Sequence, residues 1–178
     1  MCHCYNLDSQ NIQSTPSLNV LIVPFSSAYQ QQVVELILGI QAGEFGISIT
    51  VDDQPDLLDI GKYYQQDNGN FWLAIMGQKV VGTISLADIG NNQVALRKMF
   101  VKQAYRGKPL FIGQQLLDTA IDWCNNRQIR QIYLGTVPSY HAAHKFYEKN
   151  GFMRIDQSRL PMAFQIMEVD KYFYCLQT

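Results

Sequence analysis

Cysteine is scarce and ill-placed in this chain, with four in 178 residues, at Cys2, Cys4, Cys124 and Cys175. That scatter has neither the paired spacing of a zinc site nor the density of a disulfide framework, so reduced thiols are expected and no metal is called for. "MCHCY" sets Cys2, His3 and Cys4 side by side, but alternating ligands beside a terminus, with no second pair following, read as a tail. An excess of charge of either sign is missing too, Lys and Arg numbering 14 against 15 Asp and Glu. Without a basic field, neither nucleic acid nor a membrane surface is expected as a partner. Long apolar runs are lacking, since polar residues interrupt each one within a few positions. No transmembrane segment or signal peptide is therefore expected, and the cytoplasm is the expected compartment.

What remains is a chain 47% apolar, of a length suited to one domain with its own core. Residues 1–17, polar and carrying Pro16, are expected to form a low-order extension before a single domain over residues 18–178. "NVLIVPF" reads as a short buried strand stopped by Pro24. An amphipathic helix ending near Gly43 follows, capped by Ser26 or Ser27, with Tyr29, Val33, Ile37 and Ile40 on one face. Pro55 announces a second, shorter helix that ends by Gly61. The period then changes to that of strands. "NFWLAIM", "KVVGTISLA" and "QVALRKMFV" are joined by tight connections, which makes an antiparallel meander. The helix pattern "FIGQQLLDTAIDWCNN" and the buried-type strand "QIYLG" predict a parallel, right-handed crossover. A helix capped by Ser139 and closed by Gly151, then strands near "FMRI" and "FQIMEVDKYFYCL", complete the order βααβββαβαββ. The class is a mixed α/β fold, its sheet mostly antiparallel and flanked by helices.

One junction invites chemistry. "YRGKPLFIGQQLL" passes from a basic, glycine-containing turn straight into a helix start, where unpartnered amides and the positive end of the macrodipole favour a phosphate. Preceded by a strand and followed by a crossover, the turn lies at the carboxyl end of a strand, the usual ligand side of an α/β sheet. Taken with "HAAHKFYEKNGF" at the right distance downstream, the segment resembles the GCN5-related N-acetyltransferase (GNAT) superfamily. The resemblance covers the chain from Leu18 to its C-terminus.

The resemblance implies the acyl-CoA N-acyltransferase fold, acetyl-CoA as co-substrate, and direct attack by a primary amine of a small molecule or peptide in a ternary complex. In that family a loop of the form Arg/Gln-x-x-Gly-x-Gly/Ala wraps the pyrophosphate. The matching residues here are Arg106, Gly107 and Lys108, then Pro109, Leu110, Phe111, Ile112 and Gly113. The second glycine of the common loop is missing, Gly113 comes later, and Pro109 supplies no N–H. The strand before the loop is expected to bulge and splay, with Met99, Phe100 and Val101 facing the pantetheine and the thioester oxygen. A plain central strand is the alternative. Tyr147 matches the tyrosine that protonates the departing thiolate, with Tyr140 and Ala143 on the same helical face and Phe146 beside it.

For the amine's proton, the acidic stretch from Glu44 through Asp52, Asp53 and Asp56 to Asp59 offers a base, Glu44 first, although caps and dipole partners explain such acids equally well. His141 and His144, three apart, read as structural. Cys124 reads as a core residue. Trp72, Phe71, Tyr172, Phe173 and Tyr174 line either an acceptor pocket or the core. The aromatic C-terminal strand offers an edge for a homodimer. The second functional reading is a non-catalytic acyl-CoA-binding sensor or docking module, kept open by the altered loop.

Overall fold

The computed structural model describes residues 19–178, so the whole polar N-terminal stretch of residues 1–17, with Cys2, His3 and Cys4, lies outside the described residues. The elements follow the expected order: β1 (Val20–Pro24), α1 (Gln30–Gly43), α2 (Ile60–Tyr64), β2 (Asn70–Met76), β3 (Lys79–Asp88), β4 (Gln93–Val101), α3 (Ile112–Asn126), β5 (Gln131–Thr136), α4 (His141–Lys149), β6 (Met153–Ile155) and β7 (Tyr172–Gln177). They build one seven-stranded sheet in the order β1-β2-β3-β4-β5-β7-β6. Only β4 and β5 run parallel, joined by α3.

Strand periodicity of two explains why β2 and β3 are buried almost throughout. Trp72 and Ala74 join Ile112, Leu116, Leu117 and Ala120 of α3 in one core. Phe71, Leu73 and Ile75 face the other way, onto Val33, Leu36, Ile37 and Ile40 of α1 and Leu57, Ile60 and Tyr64 beside them. Helices on both faces leave no wet side for the meander. Residues 156–171 fold back over the far end of this second face, where Phe164 packs on Tyr133 and Phe173. No helix among the described residues is long and apolar enough to cross a membrane.

Several boundaries differ from the sequence expectation. β1 is a half-exposed edge strand, and Pro24 is its last residue, a position where the missing N–H is tolerated. A 3-10 turn over Ser27–Tyr29 precedes α1, and neither serine caps it with a side chain. Pro55 opens only a 3-10 turn. α2 begins later, where the Asp59 carboxylate accepts the Lys62 N–H, and it contains Gly61 instead of ending there. The N-cap of α4 is Tyr140, not Ser139, whereas Gly151 takes the left-handed conformation (φ +85°) expected of the residue after the helix. "FQIM" lies in the loop before β7.

Candidate active site

The site grows from a local conflict on β4. Thr83 stands opposite Phe100 and Ser85 opposite Arg97, so three steps on β4 answer two on β3. The extra residue is a bulge at Lys98, whose φ is +49°. Side chains of β3 hold it: the Thr83 hydroxyl donates to the Lys98 carbonyl at 2.7 Å and the Ser85 hydroxyl to the Arg97 carbonyl at 2.9 Å. On its other side β4 pairs with β5 only from Gln93 to Ala95 and then parts from it. The expected bulge and splay are therefore present, one residue earlier than Met99.

The parting opens a cleft of about 450 Å³ between the end of β4, the start of α3 and α4. Met99, Phe100, Val101, Arg106, Gly107, Phe111, Gly113, Ala143 and Phe146, all expected at a coenzyme site, line it together with Tyr147. Gly107, at φ +72°, turns the loop so that its carbonyl accepts the Phe111 N–H at 2.7 Å. Phe111 (φ +48°) is the N-cap of α3, which leaves the Ile112 and Gly113 amides without intrahelical acceptors. Ile112 does not line the cleft and has only that amide to offer it, because its side chain is fully buried in the core. Leu110 packs on the same core, and Lys108 and Leu110 do not line the cleft. Lys149, which no motif suggested, does.

Glu44 does not stand where a base must. Its carboxylate pairs with Arg106 Nη2 at 2.7 Å, while Arg106 Nε donates to the Val101 carbonyl at 2.7 Å. Glu44 thus holds Arg106 and lines neither cleft.

A second cleft, about 540 Å³, opens on the face carrying α2 and residues 156–171. The two clefts share Met99, Phe100, Tyr140, Ala143 and Tyr147, so their meeting point is the bulged strand beside Tyr147. The Tyr147 hydroxyl is aimed at a sulfur, Met99 Sδ, at 3.6 Å. Burial pushes its phenol well above the ordinary tyrosine value.

The acidic stretch is mostly committed to structure. Asp53 accepts the Thr50 N–H and hydroxyl at 2.9 and 2.7 Å, and Asp59 caps α2. Asp56 pairs with Lys98 Nζ at 3.0 Å and accepts the Tyr64 hydroxyl. Lys98 also donates to Gln54 Oε1 at 2.6 Å. Burial pulls the Lys98 ammonium below its ordinary value, Asp56 opposing, and burial with Asp56 pushes the Tyr64 phenol well above its own. Removing one member of a largely buried pair strands the other. Asp56→Asn is accordingly expected to lower stability by about 2–3 kcal/mol, and Asp56→Asn with Lys98→Met by less, in chemical denaturation.

One carboxylate that no motif signalled faces the acceptor cleft. Asp170 lies over Gly135 near the end of β5, past the last residue paired with β4, and a Cβ at Gly135 would stand 2.6 Å from Asp170 Cγ. Its side chain takes one hydrogen bond, the Met167 N–H at 3.3 Å. Desolvation raises its pKa above the usual carboxylate value.

Of the two histidines, His141 lines the first cleft and His144 is held in structure. His144 bridges the Val137 carbonyl (3.0 Å) and the Tyr174 hydroxyl (3.1 Å). Cys124 is fully buried, its thiol pushed up to about 12 by desolvation. Trp72, Phe71, Tyr172, Phe173 and Tyr174 line neither cleft; the aromatics that line the second cleft alone are Tyr63, Tyr64 and Phe164.

Comparison with known proteins agrees with this architecture. N-acetylaspartate synthetase of Xenopus tropicalis is 36% identical over 104 residues, 56% of this chain and 37% of that protein. Probable N-acetyltransferase camello of Xenopus tropicalis is 34% identical over 109 residues, 60% of this chain and 49% of that protein. The chain thus matches less than half the length of these two curated relatives. A GNAT-family acetyltransferase of Staphylococcus aureus superposes with a TM-score of 0.85 at 43% identity, covering 89% of this chain and 99% of that one. PaiA N-acetyltransferase of Thermoplasma acidophilum, solved with coenzyme A, shares the fold at 18% identity and a TM-score of 0.68, covering 90% of this chain and 99% of that one. The model of the acetyltransferase (GNAT) family matches residues 37–152, from within α1 to Phe152 just past α4, and this chain belongs to that family.

Proposed function

We propose that the protein is an acetyl-CoA-dependent N-acetyltransferase, passing the acetyl group to a primary amine of a small molecule or peptide by direct attack in a ternary complex. One observation carries the reading: a cleft suited to a phosphorylated thioester and a second cleft carrying charged side chains meet at Met99, Phe100 and Tyr147. The name of the camello relative, a probable N-acetyltransferase, supports it.

Each group then has a task. The amides of Ile112 and Gly113, with Gly107 and Arg106, receive the pyrophosphate at the positive end of α3. The free side of β4 over Met99–Val101 pairs with the pantetheine arm, and an amide there meets the oxyanion. Asp170 takes the proton of the incoming ammonium, because the amine attacks only when neutral. Tyr147 donates to the leaving sulfur.

The Arg106–Glu44 pair and the missing Pro109 amide favour the second reading, a module that binds acyl-CoA without turnover. Calorimetric titration with acetyl-CoA and a free-thiol assay over an amine panel separate the two. Saturable binding with thiol release for at least one amine is expected. Binding without release would leave the module, and no binding would remove both.

A further inference from the structure

Asp53, Asp56, Arg97, Lys98 and Asp170 are the charged side chains lining the acceptor cleft. Three are spoken for: Asp53 holds Thr50, and Asp56 and Lys98 neutralise each other. Arg97 and Asp170 remain. Arg97 Nη2 donates to the Gln165 carbonyl at 2.5 Å, and the guanidinium carbon lies 5.6 Å from the Phe164 ring centroid. No carboxylate among the described residues comes within 4.0 Å of it. A guanidinium presents five N–H donors in a planar fork, so one bond to a carbonyl leaves most of them for a ligand.

We propose that the acetyl acceptor is an amino acid or similar amine bearing its own carboxylate, Arg97 holding that carboxylate while Asp170 receives the ammonium across the same cleft. The inference rests on the acetyl-transfer reading and narrows it. The charges argue against the other acceptor classes. A polyamine would bring further ammonium groups towards Arg97, which has no direct ion-pair partner among the described residues, and the amino terminus of a peptide has an amide where the free carboxylate should be. A neutral amine would leave the guanidinium partly desolvated without an anion.

Thiol release measured with matched acceptors tests this: a series of amino acids, each with its carboxamide and its decarboxylated amine, at fixed acetyl-CoA. For at least one member of the series, kcat/KM for the acid is expected to exceed that of both analogues by about tenfold or more. Arg97→Gln should remove most of that preference by lowering the acid alone, and Arg97→Lys should restore part of it. Thermal unfolding of both variants distinguishes a lost contact from a lost fold. Equal use of acid and carboxamide by the unaltered protein would overturn the proposal. So would a proportional loss of both in Arg97→Gln, which would make Arg97 only an anchor for the 165 loop. Coenzyme binding with no thiol release from any amine would instead sink the acetyl-transfer reading itself.

Discussion

Asp170→Asn is expected to lower kcat by about a thousandfold while leaving the melting temperature at pH 7–8 unchanged or higher. The two signs differ for one reason. Burial raises the Asp170 pKa in the folded chain above its unfolded value, so its contribution to stability is fully present below the ordinary carboxylate range and is lost as the pH rises through the raised value. At neutral pH the ionised side chain works against folding, and asparagine removes that charge while its amide oxygen still accepts the Met167 N–H. The same raised pKa makes the carboxylate a better proton acceptor, and a placed general base is worth about 10²–10⁴ in rate. The deficit should shrink at high pH, where the acceptor amine loses its proton to solvent. Gly135→Ala is a companion case, because its methyl displaces the Asp170 carboxylate without touching the charge. A rate profile of Asp170→Asn that matches the unaltered protein would remove the base.

Periodicity and punctuation made the element order legible. Short apolar runs joined by tight turns declared β2, β3 and β4, the stripe of Ile112, Leu116 and Ala120 declared α3, and Gly151 marked the end of α4. The lining of the first cleft was largely readable for a similar reason: apart from Ile40 and Phe45 it lies within two continuous segments, Met99–Gln114 and Ser139–Lys149, and local order sets their geometry. The acceptor side is assembled at long range. Asp170 reaches β5 because β7 inserts between β5 and β6, which carries residues 156–171 back over the sheet, and "MEVDKYF" has no local mark of that path. Arg97 and Lys98 did leave a signal, two adjacent cations inside an otherwise apolar central strand, which must find partners or a ligand. Glu44 shows the opposite failure. Proximity in sequence to other acids suggested an electrostatic wall, whereas the carboxylate is taken by Arg106 from a loop 62 positions away.

Tyr147→Phe is expected to reduce kcat by about 10- to 100-fold, with the KM for acetyl-CoA changed by less than about twofold. The fold should tolerate the change, since the ring packs on Phe146, Phe152 and Tyr174 at centroid distances of 5.8, 5.5 and 6.3 Å and loses only a weak bond to Met99 Sδ. The size follows from what the phenol does. Burial lifts its pKa well above the ordinary value of about 10, whereas a thiol titrates near about 8.5, so full proton transfer to the departing thiolate runs uphill by about 1.4 kcal/mol for each unit between them. In the proposed mechanism Tyr147 therefore keeps its proton and donates a hydrogen bond to the sulfur as charge builds there, a charge-assisted contact worth about 1.5–3 kcal/mol that the intact thioester does not make as strongly. That difference confines the loss to turnover and spares binding. It also predicts no limb of the pH–rate profile from Tyr147 below about pH 10, because the phenol stays protonated throughout. Steady-state kinetics of the phenylalanine variant from pH 6 to 10 checks both statements: a fall in kcat that holds across the range fits a hydrogen-bond donor, a loss confined to one limb would mean that the tyrosine titrates, and an unchanged rate would take it out of the chemistry.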